Sequence, residues 1–513
     1  MLLTLRPTKT TILYLKSAIK NLKFSPPVVR TPGRYDLASV LIPQETTQMS
    51  QYDTVILGAG PGGYVAAIRA AQLGRRVCII EKELVGGTCL NWGCIPTKAM
   101  YKCAVLFDQM RNAEAFGLSC QNPVAYLDKI VLRNQRIVAE LREGVERLFE
   151  RHKVNLIMGE GYVKEPGVVE VTTSEQGKET IRGNQLIIAT GSEPLPLGLV
   201  PWDHKKVFNT RSILELTEIP RSLFIVGGGV SGCEFALLFS ALGSTIHITK
   251  RSKEAIKDLD QDINRVLIRA LKKRKVKLHL GDPPVAARHT SSGVEITLSS
   301  NKRIETEAVL VTVGRSPVSY GIGLDDTGLN LQNGYVQVDQ HCQTNVPGVY
   351  AIGDVTGERE LAHFASHQGI IAVEHGLGNK QARVDKQAVP VAIFTSPEIA
   401  SVGLTSQQCD EQNISYLEGF FPFRALGKSH AIGEIDGFVK VIARKKDERI
   451  MGIHIIGPDA STLLAECTVA VNQGLSLNEM ARTIHAHPTV AEALWEAVED
   501  ARGLSIHKLD LGL

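Results

Sequence analysis

The chain contains 513 residues, 43% of them hydrophobic and 22% charged, which is ordinary for a globular protein of two to four domains. A formal net charge of +3 gives no reason to expect nucleic acid or an anionic membrane as a partner. The sequence has no run of 18 apolar residues that would predict a transmembrane helix, and its nine scattered cysteines favour a reducing compartment over secretion.

The N-terminal extension, residues 1–49, is predicted to lie outside the folded part of the chain. Residues 1–50 carry seven Lys and Arg against one Asp and one Glu. This composition is typical of a mitochondrial transit peptide, which would direct the protein to the mitochondrial matrix. Alternatively, Met49 is the natural start, because it stands just before the first predicted strand. We favour the second interpretation and expect a cytoplasmic protein.

The first nucleotide-binding signature follows at once. A β-branched run, residues 54–57, predicts a buried strand, and the Ala-rich segment 64–73 predicts a helix. The loop between them fits the pattern GxGxxG, which lets backbone N–H groups approach a pyrophosphate at a helix N-terminus. The next predicted strand, residues 76–80, precedes an acid that can accept hydrogen bonds from ribose hydroxyls. The candidate residues are Gly58, Gly60, Gly62, Gly63 and Glu81.

Two cysteines five positions apart are the most informative feature of the sequence. Cys89 and Cys94 lie in the run GGTCLNWGCIPTK, residues 86–98. Four intervening residues are too many for the usual CxxC motif, and the spacing suits a disulfide that opens and closes beside a redox ring. With the preceding glycine loop, the run resembles the redox-active disulfide of the flavin-dependent pyridine nucleotide–disulfide oxidoreductases. Within that family it is most similar to the members that oxidise dihydrolipoamide.

The resemblance implies that FAD binds at the first signature and at four later places. Gly161 matches a backbone contact to the adenosine half. A predicted strand then ends in further candidates, which are Thr190, Gly191 and Ser192. Residues 344–354 predict an apolar strand ending in Gly-Asp, where the resemblance implies that Asp354 binds the ribityl chain. Ala362 is implied to lie along the flavin.

Between these FAD elements, residues 126–152 predict a long amphipathic helix. Its apolar face is predicted to comprise Ile137, Val138, Leu141, Val145, Leu148 and Phe149.

A second nucleotide-binding unit is predicted from residue 222. A strand over 222–226 leads into another GxGxxG loop, a helix and a strand over 245–249, and a strand over 309–313 closes the unit. The candidate NAD contacts are Gly227, Gly229, Gly232 and Gly314. Where the second strand of an NAD site usually ends in an acid, this chain has Lys250 followed by Arg251. Because cations there suit the 2′-phosphate of NADP, we expect NAD without excluding NADP.

Glu234, just inside the second predicted helix, matches a residue that pairs with the lysine after the disulfide. That lysine is Lys98. The resemblance implies that the two form a buried ion pair beside the flavin, close to the bound nicotinamide.

The C-terminal segment, from residue 394, mixes strands with an alternating pattern (438–443, 450–456) with helices (460–472, 490–501) and predicts an α+β domain. It ends in the run HAHPTVAE, residues 485–492. Thiol oxidation needs a base, and imidazole titrates in the right range. The resemblance implies that His487 is this base and that Glu492 orients it, whereas His485 matches no catalytic position. It also implies that His487 serves the disulfide of a second subunit, so we expect a homodimer.

We therefore expect an α/β fold with two Rossmann-like dinucleotide-binding domains, for FAD and NAD, and a C-terminal α+β dimerisation domain. The expected divisions are the N-terminal extension, the first part of the FAD domain, the NAD domain, a central part of the FAD domain and the dimerisation domain. Their bounds are 1–49, 50–195, 196–317, 318–390 and 391–513.

The function implied by the resemblance is oxidation of dihydrolipoamide, carried on lipoyl domains of 2-oxo acid dehydrogenase complexes or the glycine cleavage system, with NAD+ as acceptor. Electrons would pass from the substrate to Cys89 and Cys94, then to FAD and NAD+. We identify no metal site.

The nearest alternative is an NADPH-dependent disulfide reductase similar to glutathione reductase, which Lys250 and Arg251 favour. Mercuric-ion reductases, and thioredoxin reductases with a C-terminal redox pair, would carry cysteines near the C-terminus, whereas the last cysteine here is Cys467. A catalytically silent binding component is disfavoured by the intact disulfide, histidine and glutamate motifs.

Overall fold

The computed structural model describes residues 52–174 and 177–509. The predicted N-terminal extension lies outside these residues. Within them, none of the helices combines the length and apolar character needed to span a membrane.

The first sheet has seven strands and contains the predicted strand–glycine loop–helix unit. Its path runs β3-β2-β1-β6-β5-β4, and β19 pairs with β6. The carboxyl half of the long strand β6 pairs in parallel with β1 and β19, whereas its amino half pairs antiparallel with β5. The strands are β1 (Tyr52–Leu57), β2 (Val77–Glu81), β3 (Asn155–Met158), β4 (Glu160–Glu165), β5 (Val168–Thr173), β6 (Gly177–Ile188) and β19 (Val349–Ala351).

Helices cover this first sheet and carry the cysteine motif. Helix α1 follows β1 directly, and the two cysteines lie on the short helix α2 and at the start of α3. The helices are α1 (Pro61–Gln72), α2 (Gly87–Trp92), α3 (Cys94–Arg111), α4 (Leu127–His152) and α7 (Ala362–Gly376). Most of their buried apolar side chains join those of β1 and β2 in one core.

The second sheet is fully parallel, with the order β11-β10-β9-β15-β8. Its strands are β8 (Val207–Phe208), β9 (Ser222–Val226), β10 (Thr245–Lys250), β11 (Lys277–Leu280) and β15 (Ala308–Val311), and its helices are α5 (Val230–Leu242) and α6 (Gln261–Lys273). Helix α5 is buried on nearly every side, because it packs against both this sheet and α3.

Smaller antiparallel elements accompany the two nucleotide-binding sheets. A three-stranded meander consists of β12 (Pro284–His289), β13 (Val294–Leu298) and β14 (Arg303–Thr306). Two two-stranded ribbons pair β7 (Ser192–Pro194) with β16 (Arg315–Pro317), and β17 (Leu331–Gln332) with β18 (Tyr335–Val336). Short 3₁₀ helices occupy Ala113–Phe116, Ser212–Glu215, Leu324–Thr327, Gly353–Thr356 and Phe423–Ala425.

The C-terminal part is an antiparallel five-stranded sheet with the order β20-β21-β24-β23-β22. Its strands are β20 (Val391–Ile393), β21 (Glu398–Gly403), β22 (Tyr416–Pro422), β23 (Phe438–Arg444) and β24 (Ile450–Gly457). Its helices are α8 (Ser406–Glu411), α9 (Gly427–Ile432), α10 (Ala460–Gln473), α11 (Leu477–Ala481) and α12 (Glu492–Ala501). The expected α/β fold with a C-terminal α+β part is confirmed.

Three details differ from the sequence predictions. The amphipathic helix α4 leaves Leu141 and Leu148 about two-fifths exposed, and its buried apolar residues include Leu127 and Val131 at the other end. The strand predicted over 344–354 is regular only at Val349–Ala351, because Gly353 and Asp354 begin a 3₁₀ turn. Strands β23 and β24, which were predicted to have an alternating pattern, are instead buried along nearly their whole length. Strand β24 contacts both α6 and α10.

Candidate active site

The dithiol lies at the junction of two helices. Cys89 is in α2, and Cys94 is the first residue of α3, where the helix N-terminus favours a negative charge. Both are free thiols in the structure. A hydrogen bond from Cys89, helped by the charge of Lys98, lowers the pKa of Cys94 to about 7 although burial opposes this. The same hydrogen bond and burial raise the pKa of Cys89. Cys94 is therefore the thiolate of the pair, and Cys89 is the thiol.

Lys98 and Glu234 form an ion pair beside this dithiol. Lys98 Nζ lies 3.0 Å from Oε1 and 2.9 Å from Oε2 of Glu234, which links α3 to α5. The backbone N–H of Phe394 also donates to Glu234 Oε1, at 2.9 Å, and the Phe394 ring lies 4.8 Å from the Lys98 ammonium. The predicted pair is thus present, and the segment after β20 fixes it. Phe394 was not predicted from the sequence, because its essential group is a backbone N–H that no motif marks.

The first glycine loop has the geometry that a dinucleotide requires. Gly58 has φ +103°, and a Cβ there would lie 2.4 Å from the Ala189 carbonyl oxygen, so only glycine fits. Around Gly60, only the Cα of Gly87 comes within 4 Å of an added Cβ, which leaves the backbone accessible at the start of α1. Buried Glu81 accepts from the N–H of Ala59 at 2.7 Å and so holds the loop to β2. These residues fit the pyrophosphate and ribose of FAD.

A polar cluster just after β6 contains two predicted residues, Ser192 and Asp354, and one that was not predicted, Arg315. Ser192 Oγ donates to Asp354 Oδ2 at 2.5 Å, and Arg315 donates to both Oγ and O of Ser192 at 2.6 Å. Arg315 Nε is 3.8 Å from the Asp354 carboxylate. Ser192 and Asp354 are therefore brought together as expected for one binding site. Arg315 was missed, although its position directly after Gly314 could have marked it.

The remaining FAD candidates flank these two loops. Gly161 is in β4, Thr190 Oγ1 donates to the Val318 carbonyl at 2.6 Å, Gly191 has φ +68°, and Ala362 begins α7. Buried Gln368, also missed, accepts from the N–H of Gly353 at 2.7 Å and thereby holds the turn that carries Asp354.

The second glycine loop repeats the first. Gly227 has φ +114°, and a Cβ there would lie 2.3 Å from the Thr312 carbonyl oxygen. An added Cβ at Gly229 meets nothing within 4 Å, so the start of α5 is accessible to a second dinucleotide, which fits NAD. Lys250 Nζ donates to the Ala255 carbonyl at 2.8 Å, and burial lowers the pKa of Lys250. Arg251 is exposed. The ammonium of Lys250 is thus already engaged within the chain.

His487 and Glu492 lie together, but not beside the dithiol of the same chain. His487 Nδ1 is 2.8 Å from Glu492 Oε1, and the N–H of Thr489 donates to Oε2 at 2.8 Å. The His487 side chain is 79% exposed, and it forms no hydrogen bond with Cys89 or Cys94 within the residues that the structure describes. The geometry provides a base that is oriented by Glu492 and largely exposed to solvent.

The chain is similar to known proteins over most of its length. Residues 52–369 match the model of the family described as pyridine nucleotide-disulphide oxidoreductase, and residues 389–498 match the dimerisation domain of that family. A dihydrolipoyl dehydrogenase from Geobacillus stearothermophilus is 38% identical over 459 residues, 89% of this chain and 97% of the relative. Dihydrolipoyl dehydrogenase 1, mitochondrial, from Arabidopsis thaliana is 36% identical over 89% of this chain and 91% of the relative.

Solved structures show the same architecture. LpdA from Mycobacterium tuberculosis matches with a TM-score of 0.83 and 27% identity, over 88% of this chain and all of that chain. The Cu(II) complex of the HOCl-induced flavoprotein disulfide reductase RclA from Escherichia coli matches with a TM-score of 0.80 and 25% identity, over 88% and 99% of the two chains. The dimerisation domain supports a homodimer. By its sequence, fold and dithiol site, this chain belongs to the pyridine nucleotide-disulphide oxidoreductases.

Proposed function

We propose that this protein is a dihydrolipoyl dehydrogenase, which oxidises dihydrolipoamide to lipoamide and reduces NAD+ to NADH. The observation that carries this proposal is the dithiol itself: a thiolate and a thiol beside the Lys98–Glu234 pair, with both glycine loops and the His487–Glu492 pair intact. The named relatives support the same reaction.

FAD and NAD are the cofactors, and when bound they carry two electrons away from the dithiol as a hydride equivalent. We assign FAD to the loop of Gly58, Gly60, Gly62 and Gly63, with Glu81, Gly161, Lys98, Ala362, the segment Thr190–Ser192 and Asp354. We assign NAD to the loop of Gly227, Gly229 and Gly232, with Glu234 and Gly314. The roles of Lys98 and Glu234 are to fix the charge beside Cys94.

The thiol chemistry starts from the oxidised enzyme, in which Cys89 and Cys94 form a disulfide. His487 Nε2 takes the proton of one substrate thiol, and Glu492 stabilises the imidazolium. The substrate thiolate attacks Cys89, forming a mixed disulfide, and Cys94 leaves as the thiolate that its low pKa favours. The second substrate thiol then displaces Cys89, which releases lipoamide and leaves the reduced dithiol. One disulfide is formed and one is broken.

The base comes from a second copy of the chain in this proposal. His487 is exposed and bound to Glu492 at the start of α12, whereas the dithiol lies on α2 and α3. A homodimer in which His487 of one protomer faces the dithiol of its partner would bring them together.

The physiological substrate in this proposal is the dihydrolipoyl group on lipoyl domains of 2-oxo acid dehydrogenase complexes or the glycine cleavage system. We also propose a cytoplasmic location, with the mitochondrial matrix as the alternative if residues 1–48 act as a transit peptide. We also propose the division into the first part of the FAD domain (50–195), the NAD domain (196–317), the central part of the FAD domain (318–390) and the dimerisation domain (391–513).

The experiment is steady-state reduction of NAD+ by dihydrolipoamide, with purified wild-type protein and Cys94→Ser. We expect the variant to lose lipoamide turnover, because Cys94 is needed for the disulfide. It should keep the yellow colour of bound FAD, because the glycine loop that holds FAD does not involve Cys94. Full dihydrolipoamide activity in Cys94→Ser would exclude the proposed chemistry.

A further inference from the structure

His485 stands two residues before the proposed base and has no part in the chemistry above. Its side chain is only 7% exposed, in contrast to the 79% of His487. Its Nδ1 lies 3.1 Å from the carbonyl oxygen of Thr483, and its Nε2 lies 3.0 Å from Glu466 Oε1 on α10. Both ring nitrogens therefore face oxygen atoms.

The identity of these two oxygens decides the charge of His485. A backbone carbonyl and a carboxylate accept hydrogen bonds but do not donate them. A neutral imidazole has one N–H and can satisfy only one of the two, which would set the lone pair of the other nitrogen against an oxygen lone pair. An imidazolium donates to both.

We propose that His485 is a positioning residue held as an imidazolium, whose ion pair with Glu466 holds the loop that presents His487. This inference rests on the proposed function only for the role of His487. Two charged groups face His485, Glu466 on α10 and Glu492 on α12, and both are acidic. The hydrogen bond with Glu466 raises the pKa of His485, so the imidazolium persists above the pH at which an ordinary histidine loses its proton.

Two histidine–glutamate pairs thus hold one loop, and they differ in the number of acceptor oxygens that face the ring. His485 ties the loop to α10 through Glu466, and His487 ties it to α12 through Glu492. The first pair has an acceptor on each ring nitrogen, which favours the charged form. Among the described residues, the second has a hydrogen-bond acceptor on Nδ1 alone, which leaves Nε2 available to a substrate thiol. The loop thus carries two histidines with different roles: His485 is a structural cation, and His487 is the base.

The test uses the flavin-loaded protein with His485→Gln and Glu466→Gln. A matched control is His430→Gln, because His430 Nε2 faces a single acceptor, the Arg424 carbonyl at 2.7 Å, which a neutral imidazole satisfies. Two reactions are compared between pH 6 and 9: oxidation of dihydrolipoamide by NAD+, and reduction of an artificial dye by NADH, in which no substrate thiol is deprotonated. Imidazole ¹⁵N spectra of the histidine-labelled protein give a second readout, and His485→Gln identifies the signal.

We expect His485→Gln to lower kcat for dihydrolipoamide about tenfold, a part of the 10²–10⁴-fold that a positioned base contributes, with dye reduction unchanged. The His485 ¹⁵N signals should be those of an imidazolium at neutral pH and should titrate at a higher pH than those of an ordinary histidine, and Glu466→Gln should lower that midpoint. His430→Gln should change neither reaction.

Three results would overturn the inference: wild-type kcat and KM in His485→Gln, an equal loss of both reactions, or a wild-type His485 signal that titrates near pH 6.5. If the wild-type protein does not oxidise dihydrolipoamide, the proposed function fails, while the ¹⁵N spectra still decide the charge of His485.

Discussion

Lys98 and Glu234 lie 136 positions apart in sequence, yet the Lys98 ammonium contacts both carboxylate oxygens of Glu234, at 3.0 and 2.9 Å. The contact joins the helix that starts at Cys94 to the helix that follows the second glycine loop. Lys98 is therefore held by both nucleotide-binding units. The hydrogen bond from Cys89 is the main cause of the low pKa of Cys94; Lys98 lowers this pKa further and Glu234 raises it, so the pair adjusts the charge state of the reactive thiol.

The first prediction concerns the pH dependence of Cys94. Its pKa is lowered to about 7, so in the reduced enzyme the thiolate should form as the pH rises through about 7 and should be largely lost below that value. Lys98→Met removes a stabilising cation and should move this midpoint upward by about one unit. The rate of alkylation by iodoacetamide against pH measures both midpoints.

The control for this prediction is Lys102→Met, since Lys102 is exposed one turn further along the same helix. It should leave the midpoint unchanged. An unshifted midpoint in Lys98→Met would mean that the ion pair does not influence the thiol.

The second prediction concerns the coenzyme. Lys250 already donates to the Ala255 carbonyl and is partly buried, so its ammonium is poorly placed to bind a 2′-phosphate. We expect kcat/KM to be higher for NAD+ than for NADP+, and Lys250→Met to change this preference by at most about twofold, the small contribution of a single partly exposed charge. A preference for NADP+ that Lys250→Met abolishes would instead favour the NADPH-dependent disulfide reductase.

The third prediction concerns retention of FAD. Arg315 holds Ser192 by two hydrogen bonds of 2.6 Å, and Ser192 in turn donates to Asp354. Arg315→Met should release this cluster and weaken FAD binding about tenfold, the loss of one or two charge-assisted hydrogen bonds. The flavin absorbance that remains after dialysis measures it, with the exposed Arg303→Met as control. Equal flavin content in both variants would contradict the role of Arg315.

The fourth prediction concerns stability. Lys440, in the middle of β23, is 2% exposed and lies 2.9 Å from Asp260 and 2.8 Å from Asp262, at the start of α6. Burial disfavours its charge, but these two acids outweigh that effect and raise its pKa. Lys440→Met should leave a buried carboxylate unpaired and lower the free energy of unfolding by about 3–5 kcal/mol. Urea denaturation measures the loss, and the exposed Lys446→Met should show almost none.

The parts of the site that the sequence predicted consist of residues that are close together in sequence or that belong to recognisable motifs. The glycine loops follow from a strand, a tight turn and a helix within about twenty residues, and His487 and Glu492 are only five positions apart. The Lys98–Glu234 pair is distant in sequence and was expected only because of the resemblance to a known family.

The contacts that the sequence did not predict join distant segments through atoms that no pattern marks. The N–H of Phe394 reaches Glu234, and Lys440 occupies β23, a strand that is buried on both faces up to Ala443. Alternating burial assumes that one face of a sheet meets solvent, and that assumption fails here. Likewise, the sequence placed a cation at Lys250 but could not show that a backbone carbonyl already binds it.

The central claim, that the dithiol of one protomer works with the base of its partner, is tested most directly with hybrid dimers. Cys94→Ser and His487→Gln proteins, each inactive with dihydrolipoamide and NAD+, are unfolded, mixed in equal amounts and refolded together with FAD. Random pairing makes half of the dimers hybrids with one intact site each, so we expect about one quarter of the wild-type rate. If the mixture stays as inactive as its two components while dimers form and bind FAD, the base does not act across the dimer and the account is wrong.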